Sequence, residues 1–297
     1  MRLVVNATAY GDPPGGAGLR ARHLFGALKG HDLLFLLAGD TPAWIAPEGA
    51  EVRRLPVRAG RPFDRWRRLD LPAEGDLLFT DHYPAGPVPT VITLHDAGGP
   101  WWRRALIRRH LRGAAAVVAV SGAVRDAWGV DAVVVPNGVP AALCERAVPE
   151  PGRHLLLVDP GPPHKGAETA RGAARALGLE LREVGRGARW LPQDELWDEM
   201  ARAAAVLCPS REEGFGMVAL EALALGRPVV CADLPAFRET CGDAAVYAEP
   251  GAWEAAVASA LEDADAAKRR ARARERTWER AAARLEEWLA AYPAATV

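Results

Sequence analysis

The stretch C-P-S-R-E-E-G-F-G-M-V-A-L-E-A-L-A-L-G-R-P-V-V, residues 208–230, carries two carboxylates eight residues apart. Glu213 stands in a Gly-rich loop, and Glu221 interrupts a run that is otherwise apolar on every side. A carboxylate buried without partners costs several kcal/mol, so Glu221 should face hydrogen-bond donors. The preceding A-V-L-C-P-S reads as a strand, which makes R-E-E-G-F-G the loop at its carboxyl end and starts a helix at Gly216 or Met217. Ligands of open α/β sheets gather at such ends. A helix start also offers unpaired amides and a partial positive charge, a ready anion site. Gly214 and Gly216 would let a phosphate approach the backbone closely. The chemistry suggested is the grip of a phosphorylated polyol, with ring hydroxyls donating to carboxylates and phosphate accepting from amides.

The elements that must position this site are short apolar runs followed by loops and helical patterns. R-L-V-V-N, D-L-L-F-L-L-A-G, D-L-L-F-T, T-V-I-T-L-H-D, A-A-V-V-A-V-S-G and A-V-V-V-P-N-G recur in the front half. H-L-L-L-V-D-P, L-E-L-R-E-V-G, A-V-L-C-P-S, P-V-V-C-A-D and A-A-V-Y-A-E-P follow in the back half. Continuous Val/Leu runs between turn residues fit strands covered on both faces, as in parallel sheets. Their alternation with helical segments indicates α/β architecture. Residues 136–153 hold four prolines and two glycines before a new strand, so we expect a domain at 1–140, a linker at 141–152 and a second domain at 153–297. The last helix is expected to pack back on the first domain.

A net charge of −1 argues against nucleic acid as the main partner. Cys144, Cys208, Cys231 and Cys241 show no CxxC spacing, which favours a reducing cytoplasm over a disulfide framework. No run approaches the roughly 18 apolar residues of a membrane span. The tail run K-R-R-A-R-A-R-E-R reads as a solvated helical face. W-W-R-R-A-L-I-R-R-H-L-R-G fits either an anionic membrane surface or a helix packed on its sheet, and we favour packing.

The segment P-S-R-E-E-G-F-G-M-V-A-L-E-A-L-A-L-G-R-P-V-V resembles the E-x7-E segment of retaining glycosyltransferases of family 4. Its continuation, C-A-D-L-P-A-F-R-E-T-C-G-D-A-A-V-Y-A-E-P-G, is similar to the mannosyltransferase-like members. The resemblance extends over about residues 190–290 and is looser elsewhere. It implies a GT-B fold, two Rossmann-like doubly wound parallel-sheet domains with an interdomain cleft. The first would be the acceptor side and the second would bind a nucleotide sugar. By carry-over, Glu213 would bond hydroxyls of the transferred sugar, Glu221 the ribose hydroxyls, and the amides of Gly214, Phe215, Gly216 and Met217 the sugar and diphosphate. Lys165, just before a helix, matches the family's diphosphate-binding lysine. Gly15 and Gly16 resemble the glycine loop of the first domain, and His95–Asp96 its His-Asp pair, the histidine reaching the transferred sugar. Ser121 is read as a helix N-cap and Asn137–Gly138 as a turn.

The expected activity is retaining, metal-independent transfer of a hexose from a nucleotide-diphosphate sugar to a glycan, lipid-linked or small-molecule hydroxyl. No cofactor or metal is expected. The expected location is cytoplasmic, with contact at the inner face of the membrane open. One departure is plain: the family arginine five residues before the lysine falls at Pro160. Either Arg211 or Arg186 would have to replace it. That departure also motivates the alternative of a catalytically silent nucleotide-sugar-binding or scaffold protein.

Overall fold

The computed structural model describes residues 1–11, 15–59, 71, 73–81, 86–96 and 98–292. The chain divides into two compact units, Met1–Gly138 with Trp278–Val297, and Val139–Thr277.

The first unit is built on seven parallel strands: β1 (Arg2–Asn6), β2 (Asp32–Ala38), β3 (Glu51–Leu55), β4 (Leu77–Asp81), β5 (Thr90–Leu94), β6 (Ala116–Ala119) and β7 (Val133–Val134). Their spatial order is β3-β2-β1-β4-β5-β6-β7. The inner strands are the expected apolar runs, because helices cover both faces of a parallel sheet. Val4, Leu34, Leu36 and Leu78 form one such buried cluster. Strand β3 was not expected. Its residues E-V-R-R-L sit at the sheet edge, half in water, and so lack the continuous apolar run that marks the inner strands.

Helices α1 (Gly16–Gly26), α2 (Trp101–Leu111) and α3 (Gly122–Trp128) connect these strands. Ser121 Oγ accepts from the amide of Val124 at 3.0 Å, the expected N-cap of α3. Helix α2 packs through one side, with Ile107 buried and Arg104 and Arg108 donating to the carbonyls of Ala127 and Trp128. Only Ile107 of its eleven residues is fully buried, while Trp101 is 80% and Trp102 52% exposed. These tryptophans share an exposed stripe with Ala105, Arg108, Arg109 and, just past the helix, Arg112.

The second unit contains β8 (Leu155–Val158), β9 (Leu181–Val184), β10 (Ala205–Cys208), β11 (Val229–Ala232) and β12 (Val246–Ala248), all parallel, in the order β12-β11-β10-β8-β9. Its helices are α4 (Ala141–Glu145), α5 (Ala167–Leu177), α6 (Gln193–Arg202), α7 (Met217–Ala224), α8 (Pro235–Cys241), α9 (Trp253–Glu262) and α10 (Ala266–Arg274). Leu155, Leu157, Ala205, Leu207 and Val230 of the sheet pack with Ala170, Ala173 and Val257 of α5 and α9. Small alanines let α5 lie close to the sheet.

Two expectations of organisation change. The stretch 141–152, expected as a linker, contains α4 and is fastened within the second unit. Arg274 bonds Glu145 at 2.9 Å, Arg146 bonds Asp198 at 2.5 Å, and Arg270 donates to the carbonyls of Cys144 and Arg146. Its proline- and glycine-bearing chain is therefore held rather than slack, with Gly152 N donating to Arg202 O at 2.7 Å, and the units divide at Gly138–Val139. Second, the basic run of α10 is not a solvated face. Arg269 is 3% exposed and bonds the carbonyl of Gly226 at 3.0 Å, and Arg272 bonds the carbonyls of Glu239 and Thr240 at 2.6 and 3.0 Å. These guanidiniums satisfy carbonyls left over at the ends of α7 and α8.

The last helix, α11 (Trp278–Ala291), counts with the first unit. Glu286 accepts from the amide of Lys29 at 2.7 Å, and Trp278 stacks on His23 at 5.6 Å between ring centroids. No helix among the described residues is long and apolar enough to cross a membrane.

Candidate active site

Strand order fixes where each unit can hold a ligand. In the second unit the chain runs from β8 outward to β9, then crosses back to β10, so the switch point lies between β8 and β10. The crevice of such a sheet opens there, at the carboxyl ends. The loops leaving β8 and β10 carry Lys165 and Glu213, and they are locked together. Gly166 has φ +71°, and a Cβ on it would stand 2.1 Å from the carbonyl oxygen of Pro209. Only glycine permits that approach. The amide of Arg211 donates to His164 O at 2.7 Å, and Arg211 Nη2 donates to Pro163 O at 2.6 Å. Lys165 Nζ then meets Glu213 Oε2 at 2.8 Å.

The start of α7 completes this corner. Gly216 takes φ +95°, with the Phe237 ring 2.8 Å from where a Cβ would be. The first backbone bond of the helix runs from Leu220 N to Gly216 O at 3.0 Å, so the amides of Met217, Val218 and Ala219 precede the helical ladder. Gly214 N points at Glu213 Oε1 at 3.3 Å. The Phe215 side chain is buried, and its carbonyl accepts from Thr240 Oγ1 at 2.6 Å, so its contribution to any ligand is through its amide.

Glu221 lies one turn into α7 with only 6% of its surface exposed. Burial pushes its carboxyl up to about 7; the indole of Trp197 and the amide of Gln193 pull it down, while nearby Asp159 adds to the rise. Gln193 Nε2 donates to Glu221 Oε1 at 3.0 Å. The donors that the sequence required of Glu221 thus come in part from α6. Asp159 itself is the one non-glycine residue with positive φ among those described, at +57°. It accepts from Arg186 through the backbone amide at 2.8 Å, Nε at 3.1 Å and Nη2 at 2.9 Å.

In the first unit the corresponding reversal lies between β1 and β4. Asp81 ends β4, and His95 follows β5 with its Nε2 2.8 Å from Asp81 Oδ1. Tyr10, in the loop after β1, donates to the other oxygen of Asp81. Behind them Arg20 is buried and bonds Asn137 Oδ1 at 2.7 Å. Burial lowers the Arg20 guanidinium to about 10, against the raising pull of Asp81 and Tyr10. Asp96 is directed elsewhere: Arg103 holds its carboxylate at 2.8 and 3.1 Å, and its carbonyl accepts from Trp128 Nε1 at 2.7 Å. Gly15 caps α1 in an ordinary extended conformation with open space where a Cβ would be, and Gly16 is the first helical residue. The Asp12–Pro14 portion of that loop lies outside the described residues.

Lys165, Glu213 and Gly214 therefore meet in one corner, Glu221 stands deeper along α7, and His95 joins residues not singled out from sequence. Asp81 carried a usable signal, an acid at a strand's carboxyl end. Tyr10, Arg20, Asp159, Gln193 and Trp197 carried none, because their roles depend on contacts between distant segments. Among the described residues no group of three or more His, Cys, Asp or Glu side chains is arranged to hold a metal ion.

Residues 142–280 match the family described as glycosyl transferases group 1. The matched segment contains every site residue of the second unit. The chain is also 30% identical over 224 residues to a phosphatidyl-myo-inositol mannosyltransferase of Mycobacterium leprae, covering 64% of this chain and 58% of that one. It is 36% identical over 104 residues to a D-inositol 3-phosphate glycosyltransferase of Frankia alni, covering 35% and 26%. It thus spans less than two thirds of these curated relatives. Among solved structures, Anabaena HepE in complex with UDP and glucose superposes with a TM-score of 0.75 at 17% identity, covering 98% of this chain and 99% of that one. A sucrose-phosphate synthase from Thermosynechococcus elongatus gives 0.68 at 16% identity, covering 98% of each. The fold is GT-B, as the sequence led us to expect.

Proposed function

We propose that this chain is a retaining, metal-independent glycosyltransferase that moves a hexose from a nucleotide-diphosphate sugar to an acceptor hydroxyl. The observation that carries the reading is the meeting of Lys165 and Glu213, 2.8 Å apart, at the amide-rich mouth of α7. A cation for phosphate and a carboxylate for sugar hydroxyls there share one corner with helix-start amides. Donor binding would exchange Glu213 for phosphate oxygens at Lys165 and leave the carboxylate to accept from the hexose. Glu221 would hold ribose hydroxyls beside Gln193. Charge growing on the leaving diphosphate is what such a reaction must stabilise, and aimed amides with a lysine do so at no reorganisation cost. Electrostatic help of this kind needs no metal. In the first unit, His95 braced by Asp81 and the Gly15–Gly16 helix start are the acceptor-side groups, with Asp96 anchoring the start of α2.

The name of the Mycobacterium leprae relative supports a lipid-linked acceptor. The exposed Trp101–Trp102–Arg108–Arg109 face of α2 supports contact with an anionic membrane surface, at the cytoplasmic side, where four buried cysteines outside any disulfide are at home. The test is a panel of UDP-, GDP- and ADP-hexoses, with and without EDTA, offered with lipid and sugar acceptors and read by NMR at the anomeric carbon. Transfer with retention in EDTA is expected. Donor binding without turnover on any acceptor would return the silent alternative, and inversion or a metal requirement would overturn the mechanism.

A further inference from the structure

The second unit's switch point is rich in acids for a site meant to receive an anion. Asp159, Glu213 and Glu221 all stand on or beside its two loops, and a diphosphate adds further negative charge. Two of the three basic side chains there are already neutralised. Lys165 is paired with Glu213, and Arg186 is held by Asp159 through both Nε and Nη2. Arg186 is also bound through its backbone, since the amide of Gly161 donates to its carbonyl at 2.8 Å. It braces the loop on either side of Pro160.

Arg211 is different. Its guanidinium donates to a neutral carbonyl, that of Pro163, and has no carboxylate at ion-pair distance among the described residues. Its backbone amide bonds His164 O at 2.7 Å. Backbone and side chain are therefore both pinned to Pro163–Lys165, the turn that carries the lysine. A guanidinium has five N–H donors, and one hydrogen bond leaves most of them for a ligand. Its delocalised fork suits phosphate oxygens.

We propose that Arg211 is the second phosphate-contacting cation of this site, paired with Lys165 on the same turn, and that Arg186 is a structural brace. This rests on reading the second unit as the donor site. It resolves the absence of a basic residue at Pro160 by moving the charge to the loop after β10 instead of the loop after β9.

The experiment is isothermal titration of UDP, GDP and ADP, and of the matching nucleosides, into wild type, R211Q, R211K and R186Q, with Tm measured without ligand. R211Q is expected to weaken diphosphate binding about tenfold or more, the worth of a charge-assisted hydrogen bond. Nucleoside binding and unliganded Tm should stay at wild-type values, and R211K should recover part of the loss. R186Q should lower Tm and change diphosphate affinity less than R211Q does. Equal diphosphate affinity in R211Q and wild type, or a larger affinity loss in R186Q at unchanged Tm, overturns the assignment. A wild-type protein that binds none of the three diphosphates overturns the donor-site reading itself, and the assignment falls with it.

Discussion

The two switch points use the same topological opening in opposite ways. In the second unit the ligand corner is made mainly of backbone: Gly166 and Gly216 in positive φ, loops pressed to van der Waals limits, and amides at a helix start. Its charges are pairs clipped across the loops, Lys165 with Glu213 half-buried and Arg186 with Asp159 more exposed. In the first unit the corner is made of side chains, with Asp81 collecting His95 and Tyr10 above a buried Arg20. Backbone geometry suits the part of a substrate that never varies, such as a diphosphate. Side-chain clusters can be exchanged one residue at a time, which suits recognition of a variable acceptor. The family match falls on the first kind of corner, residues 142–280.

The comparison breaks most readily at Glu213. Replacing it with alanine is expected to lower hexose transfer about 100-fold or more, on the scale of losing one aimed group in such sites. Circular dichroism should remain that of wild type, and near-normal turnover in that variant would remove the carboxylate from the mechanism.

Glu221 sharpens the comparison through pH. Its folded-state value near 7 lies above its ordinary 4.5, so the folded protein favours the neutral acid. The resulting stability is present in full below about pH 4.5 and is lost as pH rises through 7, a swing of about 3 kcal/mol. E221Q should flatten urea-unfolding free energies between those pH values. An unchanged slope would mean that the carboxylate is solvated rather than buried.

Gly166→Ala tests whether backbone really builds the second corner. With φ +71° and Pro209 O at 2.1 Å, the added methyl is expected to cost about 1–3 kcal/mol in urea unfolding. The displaced Lys165 should weaken UDP or GDP binding with it. Asp81→Asn probes the side-chain corner. Transfer should fall about tenfold, as for the loss of one good hydrogen bond, with nucleoside diphosphate affinity unchanged and D81E partly restoring turnover. A matching fall in diphosphate affinity would merge the two corners into one.

The smallest effect is expected at α2. W101A/W102A should reduce co-sedimentation with phosphatidylserine-containing vesicles several-fold and leave phosphatidylcholine vesicles as they were. Equal binding of wild type and variant to both would return α2 to an ordinary surface helix.

Sequence alone determined the layered α/β plan, because strands covered on both faces must be written as largely apolar runs, and the inner strands of the two central sheets are such runs. It also determined the Gly-rich loop, the helix start and the odd carboxylate of α7, since those are local demands of φ, capping and charge. Edge strand β3 escaped, since E-V-R-R-L has no apolar run, whereas the other half-wet edge strand, β9, kept enough Leu and Val to be read. Which groups pair was decided only by tertiary structure. Lys165 and Glu213 are 48 residues apart, Asp81 and Tyr10 71, and Gln193 and Glu221 28. Strand order brings each pair to one sheet edge, and no local rule of sequence encodes strand order. The choice between Arg186 and Arg211 was decided the same way, by whether a carboxylate or a carbonyl lay within reach after folding.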